Sequence, residues 1–129
     1  MNYYFNKVLK NKNFEEVIES VTSELKKEGF GVLTQIDVKE TLKTKINVEF
    51  KRYRILGACN PHFAYKALTL EDKIGVFLPC NVVVEENDNG DIEVNVVNPV
   101  ASMMAIQNEN LHTLATEVQE KLKRVVSGL

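Results

Sequence analysis

The fold of this chain is decided by the stretch Val82-Val83-Val84-Glu85-Glu86-Asn87-Asp88-Asn89-Gly90-Asp91-Ile92-Glu93-Val94-Asn95-Val96. Asn-Gly favours the positive φ values that a tight turn demands. After the turn, apolar residues alternate with polar ones, as in a strand that buries one face. We therefore predict an antiparallel hairpin in which residues 82–84 pair with residues 92–96.

Outward from this hairpin, strand-like and helix-like patterns alternate along the chain. β-branched and aromatic residues predict strands over residues 3–9, 31–36 and 46–56, the last ending at Gly57. Apolar residues at helical spacing predict a long helix that begins near Phe14 and ends at Gly29, short helices over residues 37–45 and 61–68, and a final helix. The final helix carries one apolar stripe of Leu111, Leu114, Ala115, Val118, Leu122 and Val125.

The apolar run over residues 74–85 is interrupted by Pro79. Proline cannot donate a hydrogen bond to a β-ladder, so it is confined to edges, bulges and strand starts. We expect a bulge or a sheet edge at Pro79. The whole order predicts an α+β domain whose antiparallel sheet is covered on one face by its helices.

Composition sets limits on the class of protein. The 129 residues, of which 44% are hydrophobic and 26% charged, suit one globular domain over residues 1–129. A net charge of −2 gives no electrostatic reason to expect nucleic acid or an anionic membrane as a partner. Apolar stretches are far shorter than a bilayer requires, and residues 1–6 lack an export signal. With only two cysteines, we expect a cytoplasmic protein.

Both cysteines occur in similar settings, Ala58-Cys59-Asn60-Pro61 and Leu78-Pro79-Cys80-Asn81. Each is followed by asparagine, and each motif contains a proline. Asn60 is suited to cap a helix, and Pro61 suits the first helical turn, where its missing N–H would have no partner. The two motifs therefore mark the candidate site of the chain.

The motif-bearing segments resemble a known family. Residues 53–61 read Tyr-Arg-Ile-Leu-Gly-Ala-Cys-Asn-Pro, and residues 75–84 read Gly-Val-Phe-Leu-Pro-Cys-Asn-Val-Val-Val. These residues look like the bacterial and archaeal family called domain of unknown function 302. The resemblance implies a curved antiparallel sheet with a β-α-β(4)-α core and short connecting helices, and a tendency to form homodimers, but it implies no activity.

The chemistry of the candidate site depends on the two thiols. Cys59 precedes a predicted helix, whose positive N-terminal end favours a thiolate, and His62 in the first turn could contact the same sulfur. Cys80 would complete a soft three-ligand site if its strand adjoins that of Cys59. We expect Cys59 to be the more reactive thiol and Cys80, within an apolar run, to be the more structural one.

Three classes of function remain open. The first is a module that binds a small molecule or a metal ion, with a site formed by Cys59, Asn60, His62, Cys80 and Asn81. The second is a thiol-dependent redox protein or enzyme that uses Cys59 and Cys80. The third is a homodimeric interaction protein in which both motifs are structural and Met103, Met104 and an apolar strand edge form the interface. The residues identify no catalytic group, cofactor or metal.

Overall fold

A computed structural model describes residues 2–129 of the chain. Its strands are β1 (Tyr4–Leu9), β2 (Gly31–Asp37), β3 (Tyr53–Cys59), β4 (Cys80–Glu86) and β5 (Ile92–Val97). Its helices are α1 (Phe14–Lys27), α2 (Val38–Ile46), α3 (Pro61–Leu70), α4 (Pro99–Ser102) and α5 (Glu109–Ser127), with a 3-10 helix at Asp72–Phe77. Leaving out the short connecting helices, the order is β-α-β(4)-α, which confirms the predicted α+β fold.

The five strands form one antiparallel sheet in the order β1-β5-β4-β3-β2. The predicted hairpin is confirmed, since Val82 pairs with Val96 and Val84 pairs with Val94. Gly90 at its turn has a φ of 90°. The amide of the next residue, Asp91, donates to the Asn89 side chain at 3.0 Å. The asparagine therefore contributes a side-chain hydrogen bond to the turn, while the glycine provides the positive φ.

One face of the sheet carries the core. Alternate residues of β3, β4 and β5 are fully buried on this face, against the apolar stripes of α1 and α5. Among residues 2–129, no helical residue lines the groove on the opposite face, which we call the open face. It is formed by Tyr3, Tyr4, Tyr53, Asn81, Val83, Glu85, Glu93, Asn95 and Val97.

The third strand begins later than its sequence pattern predicts. Helix α2 continues to Ile46, and Asn47 ends it in the left-handed conformation with a φ of 56°. Ile46 and Val48 are exposed, so their apolar character does not reflect a buried strand face. The strand itself runs past Gly57 to Cys59, because β4 pairs with it as far as Ala58 and β2 pairs with it as far as Cys59.

The expectation of a bulge or sheet edge at Pro79 was wrong. Residues 72–77 form the 3-10 helix, and Pro79 precedes β4, which lies between β3 and β5 inside the sheet. The proline N–H is not needed there, because the ladder begins at Cys80. The irregularity of the sheet lies instead in β2, between Val32 and Thr34. Within residues 2–129, no helix is both long and apolar enough to cross a membrane.

Candidate functional site

A cavity of about 400 Å³ lies where the ends of β3 and β4 meet α3 and α5. Four residues of α3 and four of α5 line it, and the rest of its wall comes from the sheet and the loops beside it. Its side chains are almost all apolar, and no Lys, Arg, Asp, Glu or His from residues 2–129 is among them. Exposed Leu33 and Leu68 are part of its wall, so the cavity opens to solvent between β2 and α3.

Cys59 and Asn60 join β3 to α3 at the wall of this cavity. The Asn60 side chain caps α3 by accepting a hydrogen bond from the amide of Phe63, at 3.4 Å. Its amide nitrogen donates to the carbonyl of Glu28 at 3.3 Å, just beyond the end of α1. Asn60 is thus a buried structural residue that fixes the corner next to Cys59.

Cys80 begins β4 on the same wall, with its Cα paired to Ala58, the residue before Cys59. The structure therefore brings the two cysteines together, and both are free, half-buried thiols. Burial is the main cause that raises the pKa of the Cys80 thiol to about 11, and the neighbouring Cys59 contributes in the same direction. Cys80 is a neutral thiol at physiological pH.

The raised pKa of Cys80 makes the stability depend on alkaline pH. Between pH 9 and 11 an unfolded thiol has lost its proton while the folded one keeps it, so the folded state binds more protons. The free energy of unfolding should therefore be unaffected below pH 9 and fall by about 2 kcal/mol as the pH rises to 11. Urea denaturation of the wild type and of Cys80→Ala across this range tests this. Equal pH slopes for the two proteins would contradict it.

The other predicted site residues lie elsewhere. His62 is exposed on the first turn of α3 and does not line the cavity. Asn81 is exposed on the open face, because successive residues of a strand point to opposite faces. The three-ligand site of Cys59, His62 and Cys80 does not form, since no three His, Cys, Asp or Glu side chains among the described residues are placed to hold a metal ion.

Most of the cavity wall was missed by the sequence analysis. Phe63 and Ala67 belong to an apolar face of α3, and Leu114 and Val118 belong to the stripe of α5 that was predicted to pack in the core. Helical spacing identifies such faces correctly. It does not show that part of a stripe faces a cavity rather than a neighbouring side chain.

The fold and the cavity define an α+β domain with a grooved open sheet face and a thiol-bearing apolar cavity. The sequence profile described as domain of unknown function DUF302 matches residues 5–129, so the chain belongs to this family. The chain is also similar to the crystal structure of an uncharacterized conserved DUF302 protein from Bacillus stearothermophilus, with 27% identity and a TM-score of 0.91. The similarity covers 99% of this chain and 98% of that one. No curated protein matches the chain.

Proposed function

We propose that this protein binds a small apolar molecule in the cavity beside Cys59 and Cys80. The observation that carries the proposal is the cavity itself, whose volume of about 400 Å³ falls in the range of small-molecule sites. Its wall is built from rigid elements, with β3 and β4 on one side and α3 and α5 on the other. Its lining is almost entirely apolar, as in sites that bind small molecules.

A thiol-dependent enzyme is less well supported by the same wall. A catalytic cysteine is normally activated by a neighbouring base, and the part of the chain that the structure describes brings no imidazole or carboxylate into the cavity. Cys80 is also held as a neutral thiol, which is a poor nucleophile. Binding therefore accounts for the cavity with fewer assumptions than catalysis does.

Filling the cavity should weaken ligand binding without unfolding the protein. Ala64 is half-buried and lines the cavity, so Ala64→Leu places a larger apolar side chain in the ligand's space. We expect it to weaken binding of Nile red, an uncharged fluorescent probe, at least tenfold. Ala105→Leu, at an exposed turn outside the cavity, is the matched control. Fluorescence titration measures both, and equal affinities in the two variants, or no binding by the wild type, would contradict the proposal.

We also propose that the protein forms a homodimer through its open face. A compact monomer of 14.6 kDa is expected to expose about 6,900 Å² of surface. This chain exposes 7805 Å². The chain thus leaves about 900 Å² more surface uncovered than an average monomer of its mass. Tyr53, Val83 and Val97 supply apolar area on the open face, whereas Met103 is buried and cannot contact a partner.

A lysine on the open face should separate such a dimer. Val83→Lys introduces a charge that each copy would have to bury, so we expect the dissociation constant to rise at least tenfold. Val76→Lys, at a position 82% exposed on the 3-10 helix, should have no effect. The Cys59→Ser, Cys80→Ser double variant should stay dimeric. Sedimentation velocity tests all three, and a monomeric wild type at micromolar concentration would exclude the dimer.

We propose a cytoplasmic location as well. Both cysteines are free rather than joined in a disulfide. Free thiols persist in reducing compartments, so this observation supports the cytoplasm over an oxidising environment.

A further inference from the structure

We infer that the ligand of this cavity is an uncharged aromatic molecule. The inference rests on the proposed function, since it names the chemical class that the cavity would select. It follows from the residues that form the wall. Three of them contain sulfur and two are phenylalanines, and no Lys, Arg, Asp, Glu or His from residues 2–129 is among them.

The sulfur atoms and rings come from five separate places in the fold. Cys59 ends β3, Cys80 begins β4, and Met103 follows α4. Phe30 precedes β2 and is 3% exposed, and Phe63 lies in the first turn of α3. Since no single helix or strand supplies these groups, their presence on one cavity wall is a property of the tertiary structure.

These groups favour an aromatic ligand for a physical reason. Sulfur is polarisable and makes favourable contacts with the edges of aromatic rings, at a distance of about 5 Å. Phenylalanine rings prefer offset or edge-to-face contact with another ring. A saturated ligand of similar shape would bury a similar area of its surface in the cavity, but it would make neither the sulfur–ring nor the ring–ring contact.

The polar groups of the wall do not offer a place for a charge. Both hydrogen-bonding ends of the Asn60 carboxamide are engaged, one by the carbonyl of Glu28 and the other by the amide of Phe63. The ammonium groups of Lys66 and Lys121 lie 5.6 and 5.8 Å from the centroid of the Phe63 ring, but neither residue lines the cavity. The remaining polar side chains of the wall are the Thr34 hydroxyl and the two cysteine thiols, and they supply no opposite charge for an ionised group that loses its hydration inside.

Two matched pairs of ligands test the inference on the wild-type protein by isothermal titration calorimetry. Naphthalene and decahydronaphthalene share a bicyclic shape but only the first is aromatic, and we expect naphthalene to bind about tenfold more tightly. Methyl 2-naphthoate and 2-naphthoate differ in charge, and we expect the neutral ester to bind at least a hundredfold more tightly.

A variant that removes one sulfur atom tests whether the cavity wall causes the preference for an aromatic ligand. Met103→Leu keeps the side-chain volume and removes one sulfur atom, so it should reduce the preference for naphthalene about threefold and leave decahydronaphthalene binding unchanged. Met104→Leu is the matched control, since Met104 is 63% exposed and outside the cavity.

The possible results separate this inference from the proposed function. If the saturated hydrocarbon binds as tightly as naphthalene, the aromatic preference is wrong while the cavity remains a ligand site. If 2-naphthoate binds as tightly as its ester, the requirement for an uncharged ligand is wrong. If none of the four compounds binds, the proposed function itself fails.

Discussion

Cys80 is expected to react with iodoacetamide more than a hundred times more slowly than Cys59 at pH 7. The thiolate is the reactive species, and a pKa of about 11 leaves about one Cys80 thiol in ten thousand ionised at this pH. An ordinary cysteine has a few per cent of thiolate under the same conditions.

Mass mapping of the two alkylated sites over a range of pH measures these rates. Cys59→Ser and Cys80→Ser isolate each thiol in turn. His62→Ala tests whether the neighbouring histidine affects the alkylation rate of Cys59. Because His62 is exposed and outside the cavity, we expect this rate to change little. Labelling of Cys80 before Cys59 at neutral pH would show that burial does not control the reactivity of this pair.

Gly57→Ala is expected to lower the free energy of unfolding by about 3 kcal/mol, near the upper end of the usual cost of overpacking. Gly57 lies in β3 between β2 and β4. A Cβ atom there would overlap Thr34 Oγ1 and lie 2.8 Å from Cγ of Pro79. The Thr34 hydroxyl can avoid the new atom only by leaving its present χ1 rotamer, and the Pro79 ring is rigid and cannot move away without shifting its backbone.

Gly31→Ala is the matched control, because a Cβ atom at Gly31 would meet no atom within 4 Å. It should change stability by less than about 0.5 kcal/mol. Adding Thr34→Ala to Gly57→Ala should recover part of the loss, since it removes one of the two contacts. Chemical denaturation measures the series. A similar small loss for Gly57→Ala and Gly31→Ala would mean that the strands can separate at this point at little cost.

Gly57 also connects the sheet to the candidate site. Thr34 and Pro79, the two residues that a Cβ at Gly57 would meet, both line the cavity. The absence of a side chain at Gly57 thus allows the strands that form this wall to approach each other closely.

Local sequence patterns were sufficient to predict most of the secondary structure. The 82–96 hairpin, the cap formed by Asn60 and Pro61, and the stripes of α1 and α5 all depend on residues close together in the chain. Such features follow from turn chemistry and side-chain period, which a sequence displays directly. The third strand was misplaced because exposed apolar residues such as Ile46 and Val48 resemble buried ones in a sequence.

The candidate site was likewise predicted only in part from the sequence. The sequence by itself determined the fold class and marked the motifs of Cys59, Asn60 and Cys80 as the candidate site. That the two motifs lie side by side depended on the pairing of β3 with β4, which only the tertiary structure shows. Only the tertiary structure decided that Asn81 lies on the open face, that His62 is exposed outside the cavity, and that Phe30 and Met103 line it. The physical reason is that a cavity is the space left between elements that are distant in sequence, and local patterns do not encode the distance between them.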